Sequence, residues 1–315
     1  MVITAVESSG LVSDARILGL NSYENRVYQV GIEGSVPVIV KFYRPDRWSS
    51  AQIQEEHDFS LELAELEVPV VPPIRQSDGN TLLEYAGFRF AIFESKGGHA
   101  PEFDRLDNLK VMGRFLGRLH QAGALRDFQT RPALSIERFA VESTEYLLAH
   151  DFIPMELRQA YESLRRDLIS KMAAIRKDSG KAKFIRIHGD CHVGNVLWRD
   201  ETPHFVDLDD CMMAPAIQDL WMLLSGNREQ RMKQLQVLIE GYDEFFHFNP
   251  AQLSQVEMLR TLRLMNYSAW LARRWDDPAF PLNFPWFNTQ KYWAEHILEL
   301  REQLAALDEP PLHIY

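Results

Sequence analysis

The chain has 315 residues, 46% hydrophobic and 11% aromatic, enough apolar material to bury a large core and to exclude disorder as an overall description. Its 45 acidic residues outnumber 34 basic ones, for a formal charge of -11. That balance is the opposite of a nucleic-acid footprint, so any phosphate chemistry must rest on local groups.

Residues 1–16 lack the basic segment and apolar run of a secretory signal, and no apolar run is long enough to span a membrane. Cys191 and Cys211 are too few for a disulfide framework. A cytoplasmic monomer is expected, with neither membrane nor nucleic acid as partner. Along residues 17–42, short apolar stretches (Val27, Val30; Val36, Val38, Val40) broken by Gly31, Gly34 and Pro37 predict hairpin strands. Ser49 or Ser50 can cap a helix running to about residue 67, with Ile53, Phe59, Leu63 and Leu66 on one side and acids on the other. Val68-Pro-Val-Val-Pro-Pro73 stops it. Residues 81–85 and 88–93 read as strands turned at Ala86-Gly87, and Lys96-Gly97-Gly98 reads as a hinge.

Beyond the hinge, helical patterning covers residues 106–121, 136–150, 154–177, 218–224, 229–246, 253–275 and 290–307. Short β-like stretches interrupt at 184–187, 195–198 and 204–206. A β-rich lobe over 1–95 followed by a mainly helical lobe over 96–315 is an α+β class, with no internal repeat.

The densest chemistry lies in Ile187-His-Gly-Asp-Cys-His-Val-Gly-Asn-Val-Leu-Trp198, followed by Phe205-Val-Asp-Leu-Asp-Asp210. Asp190 and Asn195 are five apart, and Gly194 between them lets the backbone aim both side chains at one point. Asp207 follows a short strand twelve residues after Asn195, and a hairpin of that length returns it beside the amide. Phosphoryl transfer from ATP needs such a set. One carboxylate accepts the proton of the attacking hydroxyl, and oxygen ligands hold Mg²⁺.

These residues resemble the H-x-D-x-x-x-x-N and D-x-D motifs of the aminoglycoside phosphotransferase and choline kinase branch of the protein-kinase-like fold, as His188, Asp190, Asn195 and Asp207. Together with Asn21-Ser-Tyr-Glu-Asn-Arg-Val-Tyr-Gln29, Val40-Lys-Phe-Tyr-Arg-Pro45, Gln218-Asp-Leu-Trp-Met-Leu-Leu224 and Asp277-Pro-Ala-Phe-Pro-Leu-Asn-Phe-Pro-Trp286, the chain looks like the bacterial stress response kinase A family over essentially its whole length. The resemblance implies a bilobal fold, ATP as co-substrate with Mg²⁺, and a protein serine or threonine as acceptor in stress response. Spacing alone suits a small hydroxyl-bearing acceptor equally well. Carried over, Asp190 is the proton acceptor, Asn195 and Asp207 are the Mg²⁺ ligands, and Asp207 counts with Asp190 as catalytic. Ser22 contacts the nucleotide from the first hairpin. Lys41, on Val38-Ile-Val-Lys-Phe42, pairs with the α- and β-phosphates, with Glu56 as its counter-charge and Glu55 as fallback. Adenine is expected against residues 90–95 and the hinge, which makes Glu94 a cofactor-binding candidate. Residues 1–95 then form the nucleotide lobe, and 96–315 the catalytic and substrate lobe.

No G-x-G-x-x-G covers the phosphates, so the Ser22-Tyr-Glu-Asn25 turn is left to do so with backbone N–H groups and the Ser22 hydroxyl. Asp207-Leu-Asp209 stands where a protein kinase has Asp-Phe-Gly, and residues 207–219 are too few for a long activation loop. Two rival readings exist. His188, Asp190 and His192 with Asp207 and Asp209 have ligand types for a transition-metal hydrolase, which leaves Asn195 and Lys41 unexplained. A nucleotide-binding pseudokinase has no need of Asp190. Around the motif, His188 is expected to hold the loop or the Asp207 carbonyl by hydrogen bonding, and Asp219 to brace it by accepting backbone hydrogen bonds. Cys191 and His192 are expected to pack, and residues 273–286 to pack the end of the helical lobe, with walling of a substrate cleft as the alternative.

Overall fold

The computed structural model describes residues 1–178 and 182–314. Val2–Glu7 (α1) leads into an antiparallel sheet built from Ser13–Leu20 (β1), Arg26–Ile32 (β2), Val38–Phe42 (β3), Leu83–Tyr85 (β4) and Phe88–Glu94 (β5), in the order β1-β2-β3-β5-β4. Because side chains alternate along a strand, Val38, Val40 and Phe42 of β3 join Val30, Phe90 and Ile92 in one core. Ile39 and Lys41 therefore point to the other face, toward a cleft, beside Val27 and Phe93. The Ala86-Gly87 turn between β4 and β5 has φ of 50° and 80°, as a tight hairpin requires.

Ser50–Glu65 (α2) connects β3 to β4. Ser49 accepts from the Gln52 N–H while the Gln52 side chain returns to the Ser49 N–H, a capping box that fixes the helix start. Ile53 packs with Tyr43, Trp48 and Ala91, whereas Phe59 and Leu63 enter the main core of the chain. Leu66, expected on that apolar side, is 46% exposed, because the helix stops at Glu65 and Glu67 turns the chain at φ 57°. Glu56, His57 and Ser60 occupy the buried stripe with the apolar residues. This embeds a carboxylate next to β3.

The remainder is mainly helical: Leu106–Gly123 (α3), Glu142–Ala149 (α4), Met155–Asp178 (α5), Ile217–Trp221 (α6), Arg228–Tyr242 (α7), Val256–Ala272 (α8), Ala279–Asn283 (α9) and Gln290–Ala306 (α10). Two predicted helices begin irregularly, α4 with a π-helical turn over Glu137–Val141 and α8 with a 3-10 turn over Pro250–Gln255. Helices α3 and α7 meet backbone to backbone. A Cβ added at Gly113 would lie 2.0 Å from the Leu238 carbonyl oxygen, and one at Gly241 would lie 2.1 Å from that of Lys110.

Between α5 and α6 lie two small ribbons. Val196–Arg199 (β7) and Thr202–Phe205 (β8) form a hairpin, and Ile185–Ile187 (β6) pairs with Met212–Ala214 (β9). The three-residue β9 carries no alternation long enough to read in the sequence. The α+β architecture predicted above is the one observed, and among the described residues no helix is long and apolar enough to cross a membrane.

Candidate active site

The motif loop leaves β6 at Ile187 and is pinned from below. Asp219 on α6, fully buried, accepts from the His188 N–H at 2.8 Å and the Gly189 N–H at 2.9 Å. His120 of α3 contacts the Asp219 carboxylate at 3.0 Å, and its other ring nitrogen meets the Tyr242 hydroxyl of α7 at 2.9 Å. The glycine whose freedom the loop uses is Gly189 rather than Gly194: its φ is 87°, and a Cβ there would lie 2.1 Å from the Asp210 carbonyl oxygen. His188 donates from Nε2 to the carbonyl of Val206 at 3.0 Å, one residue short of the Asp207 carbonyl considered above.

Asn195 donates from Nδ2 to the Asp190 carbonyl at 3.0 Å, with the Asp190 carboxylate at 3.5 Å. Asp190 also contacts Arg263 of α8 at 2.6 Å and His192 at 3.4 Å. Burial favours the neutral acid, but the His192 hydrogen bond and the Arg263 guanidinium outweigh it and hold Asp190 well below the usual carboxylate range. The β7–β8 hairpin returns Val206 to the Asn195 carbonyl at 3.1 Å. Asp207 follows in the left-handed region, φ 59° and ψ 65°, which swings its half-exposed carboxylate onto Lys41 at 2.9 Å.

Lys41 is the hub of the other side. Besides Asp207, its ammonium lies 3.3 Å from Glu56 and 3.2 Å from Asp209. Burial opposes the charge, but the three carboxylates overcome it and raise the lysine pKa well above its ordinary value. Burial is also the main cause that pushes Glu56 up, against the pull of Lys41. Glu55 faces elsewhere, accepting from the backbone N–H groups of Gln129, Thr130 and Arg131 and from the Thr130 hydroxyl. It ties α2 to the loop before Leu134 and leaves Lys41 to Glu56. Ser22, Lys41, Glu56, Glu94, Asp190, Asn195 and Asp207 all line one cleft of about 1440 Å³. Ser22 and Glu94 reach it from the ends of β1 and β5, and neither side chain hydrogen-bonds the other five.

Residues 16–256 match the phosphotransferase enzyme family. The chain is 44% identical over 313 residues to stress response kinase A of Escherichia coli (strain K12) and to the serine/threonine protein kinase RdoA of Salmonella typhimurium (strain LT2), covering 99% of itself and 94% of each. The chain belongs to the phosphotransferase enzyme family, in its stress response kinase A branch. The fold is shared with an amicoumacin kinase solved in complex with AMP-PNP, Ca²⁺ and Ami, at TM-score 0.74 and 19% identity over 98% of this chain and 94% of that one.

Several residues of this phosphotransferase site have no local sequence pattern. Asp209 is buried against Lys41 and is also bonded by Arg47, which reaches Asp210 at 2.6 Å. Arg131 donates to the Asp209 carbonyl and to the Cys211 carbonyl at 2.6 Å. The second acid of Asp207-Leu-Asp209 was visible, but nothing local ties Arg47 or Arg131 to it. The phosphotransferase also carries a clasp across the cleft. Glu24 of the 22–25 turn accepts from the Trp270 indole at 2.6 Å and pairs with Arg274 at 2.5 Å, while Arg26 and Arg44 reach Asp277 at 3.0 and 2.9 Å. The segment after α8 therefore does both things considered above, burying Phe280, Phe284 and Phe287 while Arg273 and Arg274 line the cleft. The hydrolase reading loses two of its five ligands. Both ring nitrogens of His188 are engaged with backbone, and Asp209 is held by two cations.

Proposed function

We propose that this phosphotransferase is a cytoplasmic, Mg²⁺-dependent protein kinase that moves the γ-phosphoryl group of ATP to a serine or threonine hydroxyl in a stress response. What carries the reading is that one cleft brings together two clusters, Asp190 with Asn195 and Lys41 with Asp207. The kinase names of relatives that match over nearly the full length support the protein acceptor. Residues 1–95 serve as the nucleotide lobe and 96–315 as the catalytic and substrate lobe.

The residues fit a hard divalent cation. Asn195 puts its amide nitrogen on the Asp190 carbonyl and Asp207 puts Oδ1 on Lys41, which among the described residues leaves Asn195 Oδ1 and Asp207 Oδ2 as two oxygen donors. Bound there, Mg²⁺ would offset the negative charge of the phosphates. Lys41, held by Glu56, is placed to bind phosphate oxygens, and the 22–25 turn with Ser22 covers them. Glu94 closes the adenine end. Asp190, kept ionised by His192 and Arg263, orients the acceptor hydroxyl and takes its proton. The hydroxyl oxygen bonds to the γ-phosphorus as the bond to the ADP oxygen breaks. The Asp219–His120–Tyr242 chain keeps the loop in register for that step.

The test is incorporation of label from γ-labelled ATP into cell extract separated into proteins and small molecules, with Asp190→Ala as control. Label in protein serine or threonine that disappears in the variant is expected. Label confined to small molecules would assign the enzyme to small hydroxyl acceptors instead, and ATP binding with no transfer by either protein would make it a scaffold.

A further inference from the structure

The acceptor side of the cleft is walled by one face of α8, where Arg263, Tyr267, Trp270 and Arg273 recur at helical spacing, and by Arg138 on the turn before α4. In a chain with a formal charge of -11, this wall is cationic. Its arginines are treated differently from those behind it. Arg44, Arg47 and Arg274 each have a carboxylate partner, respectively Asp277, Asp209 and Glu24. Arg138 has no ion pair among the described residues and lies with its guanidinium 5.5 Å over the Trp48 ring. Arg273 reaches the Glu142 backbone carbonyl at 3.3 Å and the face of Tyr146, with no ion pair among the described residues. Arg263, 46% exposed, pairs with the Asp190 carboxylate and with no other carboxylate among the described residues.

Burial is the largest cause holding the Arg138 and Arg273 guanidiniums below the ordinary arginine range. Glu142 offsets part of this for both, and Asp210 does so for Arg138, where Arg47 and Arg131 add to the cost. Asp210 is already claimed by Arg47. A cation without an ion-pair partner is stabilised by any anion that reaches it. The spread of the wall adds a length. Arg273, the C-cap of α8, lies ten positions after Arg263, or roughly 15 Å along the axis, the span of about four to five extended residues. The stacked rings of Tyr267 and Trp270, 5.8 Å apart, lie between them.

Taking the protein-kinase reading above as given, we infer that the acceptor is an acidic stretch of polypeptide, its hydroxyl at Asp190 and its flanking carboxylate or phosphate groups on Arg138 and Arg273. The proton transfer proposed at Asp190 is unchanged. What is added is how the acceptor is chosen: charge-assisted pairing gives it an address, and Tyr267 with Trp270 gives an apolar surface for the residues between.

Synthetic peptides carrying one serine in four versions (neutral, glutamate-flanked, phosphoserine-flanked and lysine-flanked) test this with purified enzyme and labelled ATP. Either acidic version is expected to exceed the neutral one in kcat/KM by about tenfold for each guanidinium engaged. The better of the two identifies the anion. In Arg138→Gln and Arg273→Gln the acidic-to-neutral ratio should fall toward one, and in Arg138→Glu with Arg273→Glu the lysine-flanked peptide should lead. Equal use of all four peptides, or a preference for lysine, overturns the inference while leaving a protein kinase. An acidic preference that survives both glutamine variants, or a glutamine effect confined to the KM for ATP, overturns the assignment to this wall. Silence on every peptide with transfer to amino alcohols or amino sugars sinks both readings, and it is distinguished by the absence of any peptide label.

Discussion

The two halves of the cleft handle charge in opposite ways. Around Lys41 each ion has a built partner: Glu56, Asp207 and Asp209 share the ammonium, and Arg47 takes up Asp209 and Asp210. On the cleft-facing side of α8, Arg273 has no ion pair among the described residues and Arg263 leans on Asp190. A group that is paired before any ligand arrives holds geometry. A group that is not paired has binding free energy still to gain. The proposed nucleotide side is thus preorganised, whereas the proposed acceptor side would gain its partners from the substrate.

The comparison breaks first at Asp190. Asp190→Asn keeps the shape and removes the base, and turnover should fall about 10²- to 10⁴-fold with an unchanged circular dichroism spectrum. Near-normal turnover would mean that the acceptor side does not need this acid. Next comes Lys41→Met, which leaves three carboxylates facing one another. Urea unfolding should show a loss of about 3 kcal/mol or more, and adding Glu56→Gln should recover part of it. If the double variant is no more stable than the single one, the prepaired description of this side fails.

A smaller effect is readable in pH. His57 is buried between the Tyr43 hydroxyl at 2.7 Å and the Thr81 hydroxyl at 2.8 Å. Burial, with Lys41 and Arg131 nearby, pushes its pKa down to about 3, so the folded state holds it neutral while the unfolded chain protonates it near 6.5. Its contribution to stability is present in full above pH 6.5 and is lost as pH falls toward 3, by about 1.4 kcal/mol per pH unit. Unfolding free energies measured between pH 7 and 5 should therefore slope less steeply for His57→Gln; equal slopes would remove His57 from the account. The smallest change expected is Ser22→Ala, which deletes one hydroxyl from a turn whose N–H groups remain. The KM for ATP should rise by about threefold to tenfold with kcat nearly constant, and no rise would leave the phosphates to the backbone alone.

What could be read from residue order was whatever depends on near neighbours. Asp190, Asn195 and Asp207 are joined by a turn and a hairpin, so their convergence is a local matter, and the two-residue period of β3 puts Lys41 opposite Val38 and Val40 without any tertiary knowledge. Glu55 against Glu56 lies at the edge of that range. Both are acids on one helix, and only the rotation of α2 against the sheet separates a loop anchor from a lysine partner. Gly189 was passed over for Gly194 because the close approach that demands glycine involves Asp210, twenty-one residues on. Arg47, Arg131 and the α8 wall lie further out still. Their partners are far away in sequence, and an arginine on an amphipathic helix looks the same whether it faces water or a substrate.

The seam between α3 and α7 reaches further than its own packing. His120 and Tyr242 sit on these two helices and meet each other directly, and it is His120 that steadies Asp219 beneath the motif loop. How far apart the helices lie is set at Gly113, Gly117 and Gly241 by side chains that are not there. Asp190, the proposed proton acceptor, is thus positioned partly by three hydrogens remote from the cleft, and a single methyl group wedged into that seam would be felt there as a misaligned carboxylate.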